Sequence, residues 1–199
     1  MIEIKNLSVQ FKNISFNYQD KVFHKNGITF ITGRNGTGKT TLLKALSRLI
    51  PFSGEIKVDG LITYNAQEPI LFNKTVFENI VYPLRIRKLN ISEYEEKILE
   101  YARLLDLEHL LNESSLKLSS GEKMKVSIIR SIIFHPDVVL LDEPTTHLDL
   151  ESIQELTSLL KILKHDMTFI IVSHNQTFMN ELQSDVYSLG GSNVYREIN

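Results

Sequence analysis

The most specific chemistry in this chain lies in Gly33-Arg-Asn-Gly-Thr-Gly-Lys-Thr-Thr41. The stretch fits G-x-x-x-x-G-K-[ST], with Gly33, Gly38, Lys39 and Thr40 at the fixed positions. A glycine-rich turn lets the backbone N–H groups of Arg34, Asn35, Gly36 and Thr37 point inward around an anion. A helix starting at Lys39–Thr41 would add its positive N-terminal end. Lys39 would reach the outer phosphates of a nucleotide, and the Thr40 hydroxyl would bind Mg²⁺. The competing reading is a chance glycine turn, roughly a one-in-a-hundred event at average glycine usage.

A second group of candidates is the acidic pair Asp142-Glu143, followed by Pro144. A carboxylate at the C-terminal end of a parallel strand stands at the edge where ligands of α/β sheets collect. Asp142 could hold the hydration shell of Mg²⁺, while Glu143 could polarise an attacking water. Alone the pair would be equally well a solvated strand end. Beside a phosphate loop it points to a nucleotide hydrolase.

These groups need strands and helices to carry them. Ile28–Thr32 reads as a buried strand entering the loop, and Leu42–Leu49 as an amphipathic helix leaving it. Val138–Leu141 and Phe169–Val172 are unbroken apolar runs, as parallel strands covered on both faces require. Leu150–Lys164, between them, suits a crossover helix. Ile2–Phe11 and Ile14–Tyr18 alternate enough for two strands of a half-buried sheet. Glu55–Val58 and Leu61–Tyr64, joined through Asp59-Gly60, read as a hairpin. Asp185–Leu189 and Val194–Glu197, split by Gly190-Gly191, read as a second one. Ile91, Tyr94, Ile98, Tyr101 and Leu105 recur at helical spacing, which predicts a helical insertion over about 70–117. The expected fold class is therefore α/β: a parallel core, an antiparallel N-terminal sheet and one helical subdomain.

Composition narrows the function. The 199 residues suit one domain with a small subdomain, and 42% hydrophobic with 23% charged residues is ordinary for a soluble globular protein. A net charge of −2 gives no electrostatic case for nucleic acid as a partner. The absence of cysteine excludes disulfides, thiol catalysis and Cys-ligated zinc. No apolar run approaches the ~20 residues that cross a bilayer, and the N-terminus lacks a signal layout. The expectation is a cytoplasmic protein that reaches a membrane only through a partner.

The order of the remaining motifs resembles the ATP-binding cassette (ABC) ATPases, from Ile2 to the C-terminal strands. Leu118-Ser-Ser-Gly-Glu122 is similar to the family signature L-S-G-G-Q, with Ser120 for the first glycine and Glu122 for glutamine. Gln67 takes the Q-loop position, Thr146-His-Leu-Asp149 that of the D-loop, and His174 that of the switch histidine. Phe11 stands at about the usual distance before the phosphate loop to stack on adenine, with Tyr18 as the alternative. Each residue also has a plain reading. Gln67 could be a loop polar group, His174 a strand-end histidine, and Ser119 or Ser120 a helix N-cap with Glu122 near N3.

The resemblance implies a phosphate-loop (P-loop) NTPase over 1–199, its helical subdomain spanning about 70–135. It implies ATP and Mg²⁺, the metal at Thr40, Gln67 and Asp142, with Glu143 and His174 catalytic. Ser119, Ser120, Gly121, Glu122 and Asp149 would contact nucleotide held by a second ABC subunit, in a homodimer or heterodimer. A separate integral membrane permease would be the third component, placing the chain peripherally at the inner face of the membrane. The short span after His174 carries the further expectation that no regulatory domain is appended. A soluble ABC ATPase of translation, DNA repair or cofactor assembly is the alternative, and a non-hydrolysing switch a third class. No Asn-Lys-x-Asp motif supports a GTPase, since Asn73-Lys74 continues as Thr75-Val76.

Overall fold

The computed structural model describes residues 1–190 and the strand at 194–196. Two five-stranded sheets divide the strands between them. The first is antiparallel and is built on β1 (Ile2–Phe11). β1 pairs with β5 (Ser53–Val58) along one edge, and with β2 (Ile14–Asn17) and β3 (Lys21–Phe23) along the other. β10 (Val194–Arg196) extends it by pairing with β2. The second sheet is parallel, in the order β6-β7-β8-β4-β9. Its strands are β4 (Gly27–Gly33), β6 (Ile62–Asn65), β7 (Val138–Asp142), β8 (Thr168–Val172) and β9 (Asp185–Leu189).

Both expected hairpins are overturned. Glu55–Val58 falls within β5, in the antiparallel sheet, whereas Ile62–Asn65 crosses to the parallel one. Asp59-Gly60 connects the two strands, but they pair elsewhere, β5 with β1 and β6 with β7. At the other end, β9 runs parallel to β4 and β10 lies antiparallel to β2; Gly191 and Glu197 lie outside the described residues. β3, three residues long, is a strand that periodicity could not detect.

Helices cover the parallel sheet on one side, and the antiparallel sheet with one helix covers it on the other. Alternate residues of β7 and β8 point to opposite faces. Val139, Leu141, Phe169 and Ile171 join a core with α2 (Val76–Ile86), α3 (Glu95–Leu104), α4 (Ser120–Ile132), α5 (Leu150–Leu163) and α6 (Gln176–Leu182). Val138, Leu140, Ile170 and Val172 join the other, with α1 (Lys39–Leu46) and the inner face of the antiparallel sheet. Residues buried on both faces explain why these strands are uninterrupted apolar runs. The periodic segment from Ile91 starts as a 3₁₀ turn over Ile91–Tyr94 and becomes α3 only at Glu95. No helix among the described residues is long and apolar enough to cross a membrane.

Side chains start most of these helices. Thr75 and Glu78 form a capping box at α2, as do Ser119 and Glu122 at α4. Asp149 caps α5 by accepting from Ser152 N–H at 2.8 Å, and Asn175 caps α6. α1 opens differently: Gly38 stands at its N-cap with no side chain to cap it.

Phe169 is fully buried in β8 at the centre of the helix-covered core. Phe169→Ala should therefore lose about 3–5 kcal/mol of stability. Urea unfolding checks this, and a loss under about 1 kcal/mol would contradict the central place of that strand.

Candidate functional site

Strand register brings the singled-out groups to one edge. Ile31 of β4 and Asp142 of β7 both sit level with Val172 of β8. The turns leaving these strands, at Gly33, Glu143 and Ser173, therefore open side by side.

The 33–38 loop is braced from within and below. Thr37 donates to the Arg34 carbonyl through its hydroxyl at 2.9 Å and its N–H at 3.3 Å. Tyr18, just past β2, is buried beneath the loop and donates its hydroxyl to the Gly38 carbonyl at 2.9 Å. Burial raises the Tyr18 pKa well above the ordinary phenol value, so the hydroxyl stays a donor. Gly38 has φ 91°, and a Cβ there would come within 2.5 Å of the Phe16 ring. Only glycine suits both the left-handed backbone and that approach. Lys39 Nζ folds across the loop to donate to the Gly33 and Arg34 carbonyls, at 2.8 and 3.2 Å. Burial lowers its pKa, opposed by Glu143 and Asp142. The ammonium is thus held by weak neutral acceptors beside the helix N-terminus, ready to exchange them for an anion.

Asp142 is 2% exposed and spoken for on both oxygens. Oδ1 accepts from the Thr40 hydroxyl at 3.1 Å, and Oδ2 from Tyr64 at 3.0 Å. Glu143 follows at φ 48°, a strained conformation for a residue with a side chain. Its N–H donates to the Val172 carbonyl at 2.9 Å, anchoring it to β8. Oε2 accepts from His174 N–H and Oε1 faces His174 Nε2, both at 3.3 Å. Burial raises the Glu143 pKa, and the neighbouring His174 and Lys39 only partly oppose it. A carboxylate of raised basicity near an imidazole is the arrangement that general-base chemistry on water requires.

A cavity of about 600 Å³ joins these groups. Gly36, Lys39, Thr40, Gln67, Glu143 and His174 line it, and Phe16, Asn35, Thr41 and Thr146 are also in its wall. Phe16 is the one aromatic residue in this lining, and sequence reasoning did not single it out. Phe11 is absent from the lining; its exposed ring packs edge-on against Phe16 at 6.1 Å. Strand alternation holds the signal, because Phe16 and Tyr18, two apart, turn to the same side as Gly38.

The signature turn stands elsewhere. Ser119, Ser120, Gly121, Glu122 and Asp149 border a second cavity of about 330 Å³, shared with His147. Glu122 points back along its own helix: Oε2 accepts from Ser119 N–H at 2.7 Å, and Glu122 N–H donates to Ser119 Oγ at 3.2 Å. That backbone bond holds the carboxyl below the usual carboxylate range.

The donors around Thr40 suit magnesium. The Thr40 hydroxyl, the Asp142 carboxylate behind it and the Gln67 amide offer oxygen, the ligand type a small hard cation selects. No group of three His, Cys, Asp or Glu converges on a metal position among the described residues. Such a site fits an ion that takes its remaining ligands from phosphates and water.

Fold and cavity together define a phosphate-loop α/β protein with an acidic strand end and a histidine on the far wall. A family model described as ABC transporter matches residues 11–146. The chain is 35% identical over 183 residues to the molybdate/tungstate import ATP-binding protein WtpC of Methanocaldococcus jannaschii, covering 83% of this chain and 60% of that protein. It is 32% identical to the tungstate uptake system ATP-binding protein TupC of Peptoclostridium acidaminophilum, covering 86% of each. Among solved structures, a metal-chelate type ABC transporter in an inward-facing conformation superposes with a TM-score of 0.81. That match has 26% identity and covers 98% of this chain and 82% of that one. The chain belongs to the ABC transporter family.

Glu143 carries a testable signature of its burial. Its folded pKa lies above the unfolded value, so the group costs nothing while both states are protonated. It costs stability once pH has risen through the folded pKa. Glu143→Gln should therefore be more stable than wild type at about pH 7, the difference vanishing below about pH 4. Equal urea midpoints at neutral pH would contradict the desolvation of this carboxylate.

Proposed function

We propose that this chain is a stand-alone ATPase subunit that closes around ATP as a pair of cassettes and powers transport through a separate membrane permease. One observation carries the reading. The phosphate loop, Gln67, Glu143 and His174 meet in one cavity, while the signature turn borders another. Within one chain, then, the nucleotide meets only half of its contacts, and a second cassette supplies Ser119–Glu122 and Asp149. The transport names of the relatives support this reading over a soluble ABC ATPase.

Residues 1–199 act as one cassette whose helical subdomain spans about 70–135. The loop N–H groups of Arg34, Asn35, Gly36, Thr37 and Gly38, with the first turn of α1 through Thr41, hold the phosphates. Lys39 releases the Gly33 and Arg34 carbonyls for phosphate oxygens. Phe16, with Phe11 edge-on to it, offers the aromatic surface for adenine. Magnesium, held through Thr40 with Asp142 behind and Gln67 beside, would offset phosphate charge. Glu143 takes a proton from the attacking water, and its raised pKa favours that role. His174 holds the carboxylate and faces the terminal phosphate from the far wall. From the opposing cassette, Ser119 and the start of α4 present a hydroxyl and helix N–H groups. The work is positioning and charge stabilisation.

The permease meets the groove between β6, α2 and α4. This cavity of about 460 Å³ is lined by Phe72, Tyr82, Ile86, Arg130 and Phe134, among others. Ile70, at 84% exposure, and Ile86, at 60%, leave apolar surface that a membrane subunit's cytoplasmic helix would cover. Bound there, the chain works in the cytoplasm at the inner face of the membrane.

Glu143→Gln should slow ATP hydrolysis by at least about a hundredfold while sparing ATP binding, and an ATP-dependent dimer should accumulate. Phosphate release and light scattering measure the two effects, and wild-type turnover in this variant would remove Glu143 from the mechanism. Ile86→Glu should reduce co-purification with a co-expressed membrane permease partner while leaving ATP affinity unchanged; full recovery of the complex would move the docking surface elsewhere.

A further inference from the structure

The signature-side cavity has an unusual charge distribution. Asp106, Glu122, Asp149, Glu151 and Glu155 contribute to its wall, with the imidazoles of His109 and His147. Lys125 is the one lysine or arginine on that wall. It is 7% exposed, and its Nζ lies 2.7 Å from Glu155 Oε2. That oxygen receives no well-directed hydrogen bond, so the attraction is Coulombic. Lys125 and Glu155 each lie six residues beyond the N-cap of their helix, Ser119 for α4 and Asp149 for α5. The pair therefore bridges the two helices whose first turns make the cavity mouth. At the mouth itself the backbones nearly touch, since a Cβ on Gly121 would come 2.8 Å from the His147 carbonyl. Lys125 also helps to lower the pKa of Glu122 and Asp149, after the larger effect of the Ser119 and Ser152 N–H bonds.

We infer that Lys125 is a positioning residue that ties the signature turn, 119–122, to the 146–149 turn through its buried pair with Glu155. Its charge meanwhile offsets the acids at a mouth that must accept a second molecule's phosphates. The tie fixes the spacing of the two turns, so they approach the opposing nucleotide as one body. A buried ammonium suits this because removing either partner leaves an uncompensated charge, which strongly disfavours separation. The consequence for catalysis rests on the ATP-sandwich reading above; the tie itself does not.

Lys125→Met, Lys125→Arg and the apolar pair Lys125→Met/Glu155→Leu separate the possibilities. In nucleotide-free protein, amide hydrogen exchange at both turns should quicken by about tenfold in the Met variant and return toward wild type in the Arg variant. The Met variant's kcat should fall by about tenfold or more, with ATP affinity at the phosphate loop within about twofold of wild type. The apolar pair should regain the wild-type melting temperature without regaining kcat, because it restores packing but not charge. Unchanged exchange at the two turns, or recovered kcat in the apolar pair, would overturn the inference. Exchange is measured without nucleotide, so its outcome stands apart from that of the ATPase reading, which fails if the wild type has no turnover.

Discussion

Strand register is the constraint on which the site depends. Three parallel strands, β4, β7 and β8, are aligned so that Ile31, Asp142 and Val172 fall level, and each strand then leaves the sheet at the same edge. A slip of one residue in any of them would turn its apolar residues to the opposite core and displace the attached turn. Both faces of these strands are buried, so such a slip is opposed from two sides. The Thr40–Asp142 and Glu143–His174 contacts follow from that alignment, refined by the Glu143 N–H bond to Val172.

The antiparallel sheet takes part in the same site. Tyr18 and Phe16 reach under the phosphate loop from the end of β2, and Gly38 has no side chain because both lie against it. The loop is thus clamped between its own Thr37–Arg34 turn and a second sheet. A braced loop presents its N–H groups without having to be ordered on binding, which lowers the entropy cost of holding an anion.

The parts of this protein legible in the sequence are those specified by local spacing. The Gly33–Thr41 loop, the Asp142-Glu143 strand end and the central apolar runs each carry their identity within a few residues. The Ser119–Glu122 stretch was legible as a helix start, since a capping box is written in its own serine and glutamate. Pairing was not legible. Asp59-Gly60 announces a turn, yet nothing near it says that β5 belongs with β1 and β6 with β7. The separation of β9 from β10 was hidden likewise, because their partners, β4 and β2, lie at the other end of the chain. The place of Phe16 in the cavity wall was not legible either, because it depends on the face to which β2 turns its side chains.

That long-range pairing has a consequence for how the protein is made. β4 and its loop emerge from the ribosome early, but the neighbours β4 needs, β8 and β9, follow about 140 residues later. Until then neither edge of β4 is paired, although α1 and the strands of the antiparallel sheet that share the core of Ile31 are already made. The nascent chain therefore carries β4 with both edges open through most of its synthesis. Late closure of the parallel sheet follows from the topology of the site itself.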